Sequence, residues 1–170
     1  MRKMNIQLLR EFIDYNSTTG VMTWKKRDRK HFKLERDWKG WNKKFAGKEC
    51  GCIDNGYRII RVNSVNYYGH RIAFAHYHGR WPKYEIDHID QVPLNNSIRN
   101  LRDTKENNKN KSKYSINKSG FTGVSWHVRS KKWQAQVGSK YLGLFEDAEL
   151  AGFVCELTRD KLGYHPNHGK

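Results

Sequence analysis

The sequence predicts an α+β protein that combines small antiparallel sheets with short helices. The turn signal Asp54-Asn55-Gly56 comes directly before a strand-like run at 57–62, which is typical of a β-hairpin. Three further strand-like runs lie between residues 123 and 145. The segment 147–162 is predicted to be a helix, with an apolar stripe formed by Ala148, Leu150, Ala151, Val154, Cys155 and Leu157. The length of 170 residues fits one or two small domains and excludes a large multidomain enzyme.

The N-terminal residues predict an amphipathic segment and not a targeting signal. Leu8, Leu9, Phe12 and Ile13 recur at helical spacing and do not form the continuous apolar run of a secretory signal. No stretch of the sequence approaches the roughly 18 consecutive apolar residues that a transmembrane helix requires. We therefore expect a cytoplasmic protein with no membrane partner.

The charge of the chain predicts a polyanionic partner. Lys and Arg number 33 against 17 Asp and Glu, which gives a formal net charge of +16. Residues 25–48 alone hold eleven basic and three acidic side chains. Five aromatic residues are interleaved with them: Trp24, Phe32, Trp38, Trp41 and Phe45. This segment is either a nucleic-acid surface, where rings stack on bases, or a solvated loop whose tryptophans anchor it to the core.

The three cysteines favour a reducing compartment and give only weak evidence for a zinc site. Cys50, Cys52 and Cys155 are an odd number and cannot build a disulfide framework. One Cys-x-Cys pair without a second pair is a weak zinc motif, because zinc sites need four ligands. Ordinary thiols are the simpler interpretation.

The middle of the chain is predicted to form a helix, a short strand and a polar loop. Residues 70–79 have apolar positions at helical spacing and end on a glycine, which favours a helix stop there. A brief strand at 84–90 then carries Asp87 and His88 toward a loop rich in asparagine. Residues 105–120 follow as a basic linker, with a helix expected at its start.

Asp87 and His88 are the candidate chemical groups of this region. An imidazole with an ordinary pKa of roughly 6.5 can be neutral at physiological pH and take a proton from water. Carboxylate and amide oxygens are hard ligands that suit Mg²⁺. From these residues alone, a histidine in a strand is equally typical of packing or of a single hydrogen bond.

The order and spacing of several motifs resemble the HNH endonuclease family. Asp87-His88 is followed, twelve residues after the histidine, by Asn100-Leu101-Arg102, and then by Asn107-Asn108. The flanking segments that share the resemblance are Gly69-His70-Arg71-Ile72-Ala73, Gly79-Arg80-Trp81-Pro82, Arg99-Asn100-Leu101-Arg102-Asp103 and Glu106-Asn107-Asn108-Lys109-Asn110. Several spaced signatures agree in order, which makes the resemblance specific.

This resemblance implies a ββα-metal finger, in which a hairpin and a helix hold one divalent cation, Mg²⁺ or Mn²⁺. His88 is then the general base, and Asp87 is a metal ligand. The second ligand is Asn108 or Asn107, because the preceding segment is one residue shorter than is usual in the family; we favour Asn108. Asn100 orients the imidazole or fixes the metal loop, unless it is only a turn residue.

Other residues of the same region have roles that the resemblance leaves more open. Arg71 is expected to contact phosphate. His70, His76 and His78 are candidate further ligands, but packing of their helix against the finger is a sufficient reason for them. The turn at 90–94 replaces a more polar, glycine-containing turn common in the family, and this changes the expected hairpin tip.

The C-terminal region resembles the plant ethylene-response-factor type of DNA-binding domain. The match covers residues 119–124, 132–135 and 141–145 together with the closing helix. It implies a three-stranded sheet that enters the major groove, with one packed helix. The expected DNA-contacting residues are Ser125, His127, Arg129, Lys131, Lys132, Gln134, Gln136 and Tyr141. Strand alternation predicts a packed face formed by Val124, Trp126, Val128, Trp133, Ala135 and Val137.

As a whole, the sequence predicts a homing-type, site-directed DNA endonuclease of a phage or mobile element, acting in the host cytoplasm on double-stranded DNA. With one active site per chain, a nicking monomer without a protein partner is the simpler hypothesis. The alternative is a DNA-binding regulator with a degenerate, non-catalytic finger; an RNA-binding protein is a third interpretation. The predicted regions are an N-terminal basic and aromatic region at 1–49, the nuclease domain at 50–112, a linker at 113–119 and the DNA-binding domain at 120–170.

Overall fold

The computed structural model describes residues 4–105, 110–111 and 117–169. The chain divides into two compact units, Met1–Lys105 and Glu106–Lys170. The helices are α1 (Ile6–Phe12), α2 (Glu35–Phe45), α3 (Gly69–His78) and α4 (Ala148–Lys161). The strands are β1 (Ile13–Tyr15), β2 (Met22–Trp24), β3 (Cys52–Asp54), β4 (Tyr57–Val62), β5 (Val65–Tyr68), β6 (Glu85–His88), β7 (Leu101–Thr104), β8 (Val124–His127), β9 (Lys132–Val137) and β10 (Lys140–Phe145). The α+β prediction is confirmed.

The first unit begins with a capped helix and a hairpin. The side-chain oxygen of Asn5 accepts hydrogen bonds from the backbone of Gln7 and Leu8, which satisfies two donors at the start of α1. Leu9 and Phe12 bury the inner face of this helix. Strands β1 and β2 then pair antiparallel. Helix α2, which was not predicted, follows inside the basic segment.

Strands β3, β4 and β5 form an antiparallel sheet in that order. The predicted hairpin turn is confirmed: Asn55 and Gly56 both have positive φ, at 47° and 80°, as a two-residue turn between twisted strands requires. Ile60 of β4 and Ile72 of α3 are completely buried together with Leu9. Residues before and after position 50 therefore share one hydrophobic core. The domain boundaries derived from the sequence stay predictions.

The second unit is a three-stranded sheet, in the order β10-β9-β8, with α4 packed on it. The predicted meander and helix are present. The buried core consists of Val124, Ala135, Val137, Ala151 and Cys155.

The predicted packed face of this sheet was wrong at two positions. Trp126 is 48% exposed and Val128 is 77% exposed. Val128 lies beyond the end of β8, in a turn closed by a hydrogen bond from the Lys131 N–H to the Val128 carbonyl. Strand alternation therefore no longer applies to it. Trp126 lies on the edge strand, where it packs edge-on against its cross-strand partner Trp133.

The predicted apolar stripe of α4 was also partly wrong. Leu150 and Leu157 are exposed, at 53% and 44%. The buried face is narrower and is formed by Ala151, Gly152 and Cys155. A Cβ at Gly152 would lie 2.5 Å from the Phe121 ring, so small residues let this helix approach closely. In the part of the chain that the structure describes, no helix combines the length and the apolar character needed to cross a membrane.

Candidate active site

The hairpin of β6 and β7 positions the two residues singled out by the sequence. In the antiparallel register, Asp87 pairs with Arg102 and His88 pairs with Leu101. Asp87 is 4% exposed and His88 is 7% exposed. The Asp87 Oδ2 atom accepts a hydrogen bond from Arg102 Nε at 2.6 Å, so a guanidinium compensates the buried carboxylate. The hairpin of the expected ββα finger is thus present. Residues 106–109, where its helix is predicted to begin, lie outside the described residues.

His88 is enclosed by rings and by one amide. The His70 ring stands nearly perpendicular to it, with centroids 5.1 Å apart, and the Tyr57 ring lies at 6.3 Å. The Asn96 Oδ1 atom lies 3.4 Å from His88 Nε2. Burial lowers the pKa of His88 below its ordinary value, although the hydrogen bond with Asn96 and the charges of Asp90 and Asp87 act in the opposite direction. A neutral imidazole at physiological pH is the form that a general base needs.

Asn100 closes the loop between the two strands. It is 7% exposed. Its Nδ2 donates to Asp90 Oδ1 at 2.8 Å and to the Asn95 carbonyl at 2.9 Å, and its Oδ1 accepts from the Asp90 N–H at 2.9 Å. The backbone carbonyl of Asn100 also accepts from the N–H of Ile89. Four hydrogen bonds from one residue therefore fix the segment that follows His88.

The N-terminal hairpin holds the other end of this loop, which sequence reasoning missed. The Tyr15 hydroxyl donates to the Asn96 carbonyl at 2.7 Å, and the Ile98 N–H donates to the Ser17 carbonyl at 2.9 Å. Gly20, at φ 77°, packs so closely that a Cβ would lie 2.5 Å from the backbone carbon of Asn96. The asparagine-rich composition of the loop was the one sequence signal that could have indicated such contacts. The hairpin that binds the loop is distant in sequence, so no local pattern identified it.

Four candidate residues of helix α3 differ in burial and in hydrogen-bond partners. Burial, followed by the neighbouring charges of His88 and Arg71, lowers the pKa of His70 to about 3, so this ring is neutral. Arg71, expected on phosphate, donates to the Tyr84 carbonyl at 3.1 Å. His76 Nε2 lies 3.1 Å from the Ile13 carbonyl, and His78 is exposed beside the Phe74 ring.

Of the predicted metal ligands, Asp87 lies within the described residues. Asn107 and Asn108 lie outside the described residues. Among the residues that are described, no three His, Cys, Asp or Glu side chains form a group suited to a metal ion. Mg²⁺ commonly binds through one or two carboxylates and keeps several waters. The buried Asp87 carboxylate fits such a ligand, although Arg102 already engages one of its oxygens.

In the second unit, the sheet brings together most residues expected to contact DNA. Ser125 pairs across strands with Gln134, and Tyr141 pairs with Gln136. The exposed members of the set are Ser125, Arg129, Lys131, Gln136 and Tyr141, while His127, Lys132 and Gln134 are half-buried. Four of them have internal partners. Lys132 Nζ lies 2.7 Å from Glu146, and Gln136 Nε2 donates to the Gly138 carbonyl at 2.8 Å. Gln134 Nε2 donates to Gln136 Oε1 at 3.4 Å, and His127 Nδ1 accepts from the Ser130 N–H at 3.3 Å. Arg129 and Lys131 lie in the turn between β8 and β9.

Comparison with known proteins finds similarity to a nuclease family in the middle of the chain. Residues 67–109 match the model of the HNH endonuclease family. Protein 3.8 of Escherichia phage T7 is 44% identical to the chain over 62 residues, which are 35% of this chain and 51% of that relative. The chain thus spans about half the length of this curated relative. No solved structure matches the chain.

Proposed function

We propose that the protein is a metal-dependent DNA endonuclease that hydrolyses phosphodiester bonds with His88 as its general base. One observation carries the proposal: a buried imidazole, with its pKa lowered by burial, neighbours a buried carboxylate inside a segment that matches the HNH endonuclease family. The match of residues 67–109 to the HNH endonuclease family supports nuclease chemistry in this segment.

The surroundings of His88 suggest which ring nitrogen acts. An amide oxygen only accepts hydrogen bonds, so Asn96 Oδ1 favours the tautomer that carries the proton on Nε2. Nδ1 then takes the proton of the attacking water. His70 is a neutral ring against His88 and limits the orientations that the imidazole can adopt. Asn100 acts on the loop, through its bonds to Asp90 and Asn95.

A divalent cation, when bound, stabilises the negative charge of the phosphate and of the leaving oxygen. Asp87 is the ligand that we assign to it, with Asn108, or alternatively Asn107, as the second protein ligand. Mg²⁺ and Mn²⁺ both suit these oxygen donors.

In this proposal the second unit recognises the DNA site that is cut. We propose that it reads double-stranded DNA with the outer face of its sheet, as in ethylene-response-factor domains. Gln134 and Gln136 can pair with adenine edges, while Arg129, Lys131 and Lys132 would contact phosphates. A reader tethered to a nuclease raises the effective concentration of the cutting site near its target. This arrangement fits a homing-type monomer that nicks one strand.

The ion pair of Asp87 with Arg102 favours a second candidate, a DNA-binding regulator with a non-catalytic finger. A guanidinium 2.6 Å from the carboxylate neutralises the charge that would attract a cation. In that case the finger is a structural element, and the protein binds DNA without cutting it.

Cleavage of supercoiled plasmid separates the two functions. The wild-type chain is incubated with Mg²⁺, Mn²⁺ or EDTA and compared with His88→Ala and with His78→Ala, a matched exposed histidine outside the site. We expect metal-dependent nicking that His88→Ala abolishes and His78→Ala retains, with DNA binding intact in all three proteins. Binding without cleavage by the wild type under every metal condition would reject the nuclease and support the regulator.

A further inference from the structure

A cavity of about 520 Å³ lies in the first unit. It lies at the basic and aromatic segment around residues 25–48, which has no role in the proposed function. Its volume falls in the range of roughly 300–1,000 Å³ that is common for small-ligand pockets. We call it the basic aromatic pocket, and its principal lining residues are Trp24, Arg27, Trp41, Phe45, Glu49 and Arg61. None of them belongs to the group around His88.

Aromatic rings form one wall of the basic aromatic pocket. The Trp24 and Trp41 rings meet edge-on with centroids 5.6 Å apart, and the Phe45 ring lies 5.4 Å from that of Trp41. Trp41 and Phe45 are only partly buried, so part of their surface remains accessible. Planar side chains of this kind stack on unpaired nucleobases and tolerate any base, because every base has a π-face.

Arg27 is held rigidly beside this wall. Its guanidinium lies 4.1 Å from the centroid of the Phe12 ring and 4.0 Å from that of Trp41. Its backbone carbonyl accepts from Trp38 Nε1 at 2.8 Å. Its buried Nε has no hydrogen-bond partner among the described residues. Burial lowers the pKa of Arg27. The Nε donor of this fixed guanidinium thus lacks the acceptor that a buried polar group usually has, and the Arg27 side chain lines the pocket.

The remaining charges at the pocket also favour an anion. Arg61 is exposed on β4 and lines the pocket. The carboxylate of Glu49, the acidic residue among the lining side chains, is neutralised by Arg58, whose guanidinium lies 2.6 Å from it. Arg27 and Arg61 therefore give the pocket a net positive charge, because Glu49, an acidic side chain that lines it, is paired with Arg58.

We propose that the basic aromatic pocket binds one unpaired nucleotide of DNA, with its phosphate on Arg27 and Arg61 and its base against the Trp41 ring. The inference rests on the proposed function for its choice of DNA as the polymer. It adds that the protein prefers DNA with a locally unpaired base over a fully paired duplex.

Equilibrium binding tests this with the full-length His88→Ala chain, which leaves the DNA uncut. The probe is a duplex with one extrahelical 2-aminopurine, a base whose fluorescence falls when it stacks on an indole; the same duplex fully paired is the comparison. We expect about tenfold tighter binding of the extrahelical probe, with quenching, because one base stack typically supplies this much. Arg61→Gln should weaken that binding about tenfold and reduce the salt slope by about 1. Arg36→Gln, on α2 but outside the pocket, is the matched control and should change neither.

Equal affinity for the two duplexes, or an Arg61→Gln protein that binds like Arg36→Gln, would overturn the proposal. Equal quenching of free 2-aminopurine deoxyribonucleoside monophosphate at similar affinity would also overturn it, because the site would then take mononucleotides. Tighter binding of a single-stranded RNA probe would reject DNA as the ligand. A wild-type protein that never cleaves but still prefers the extrahelical base through Arg61 would end the nuclease proposal and leave the pocket intact.

Discussion

Replacing Asn100 with alanine tests the inference that one buried amide holds the active-site loop. The side chain makes three hydrogen bonds, two to Asp90 and one to the Asn95 carbonyl. Each hydrogen bond contributes about 0.5–1.5 kcal/mol net to stability. The substitution should therefore lower the free energy of unfolding of the first unit by about 3 kcal/mol. It should also lower plasmid cleavage, because the segment after His88 loses its anchor.

Urea unfolding followed by tryptophan fluorescence measures this loss. Asn66→Ala is the matched control, because Asn66 is an exposed asparagine on β5. The control should stay within about 0.5 kcal/mol of the wild type, as is usual for surface substitutions. A loss at Asn100 no larger than that of the control would refute the assignment of the loop's stability to this amide.

The same variant has a pH signature that follows from Asp90. Partial burial raises the pKa of Asp90, but hydrogen bonds from the Val92 backbone, Asn95 and Asn100 together outweigh this and lower it. A carboxyl whose folded pKa is lowered stabilises the fold above its unfolded pKa, and this contribution is lost as the pH falls through the folded pKa. Removing Asn100 weakens the contribution. The stability gap between wild type and Asn100→Ala should therefore narrow as the medium is acidified below about pH 4.

Three further predictions concern the same unit. Gly20→Ala forces a side chain to positive φ and within 2.5 Å of the Asn96 backbone, so urea unfolding should show a loss above about 2 kcal/mol. Because burial lowers the pKa of His88, the acid limb of the pH–rate profile of DNA cleavage should have its midpoint below the ordinary histidine value of about 6.5, and a midpoint above it would contradict our assignment of the base. Mg²⁺ should raise the melting temperature of the wild type but not that of Asp87→Asn, whereas equal shifts in both proteins would place the cation elsewhere.

Local signals account for the parts of the fold and site that the sequence predicted. The Asp54-Asn55-Gly56 turn needs residues that tolerate positive φ, and Asn and Gly are the residue types that predict such a turn. The helix before Trp81 ends at a glycine in the left-handed conformation, as its sequence indicated. Asp87 and His88 are adjacent in sequence, so their shared position on one hairpin followed from a short motif.

The rest depends on contacts that no local pattern encodes. Helix α2 begins after Leu34, which provides no side-chain cap, and none of its residues is fully buried, so its stop and start signals are weak. Trp126 is exposed on the edge strand β8 although Val124 on the same face is buried, and strand alternation cannot distinguish two such positions. The loop that places Asn96 beside His88 is bound by the N-terminal hairpin, which is distant in sequence.

The Tyr15–Asn96 hydrogen bond joins residues 81 positions apart and has a consequence for the order of folding. Contacts this distant in sequence form late, since the chain must lose loop entropy before they contribute. A fragment that begins after the first hairpin would hold every motif residue from Asp87 to Asn100 and still lack the support of their loop. In a growing chain the hairpin is synthesised before the motif, so the support of this loop is available as soon as the loop emerges.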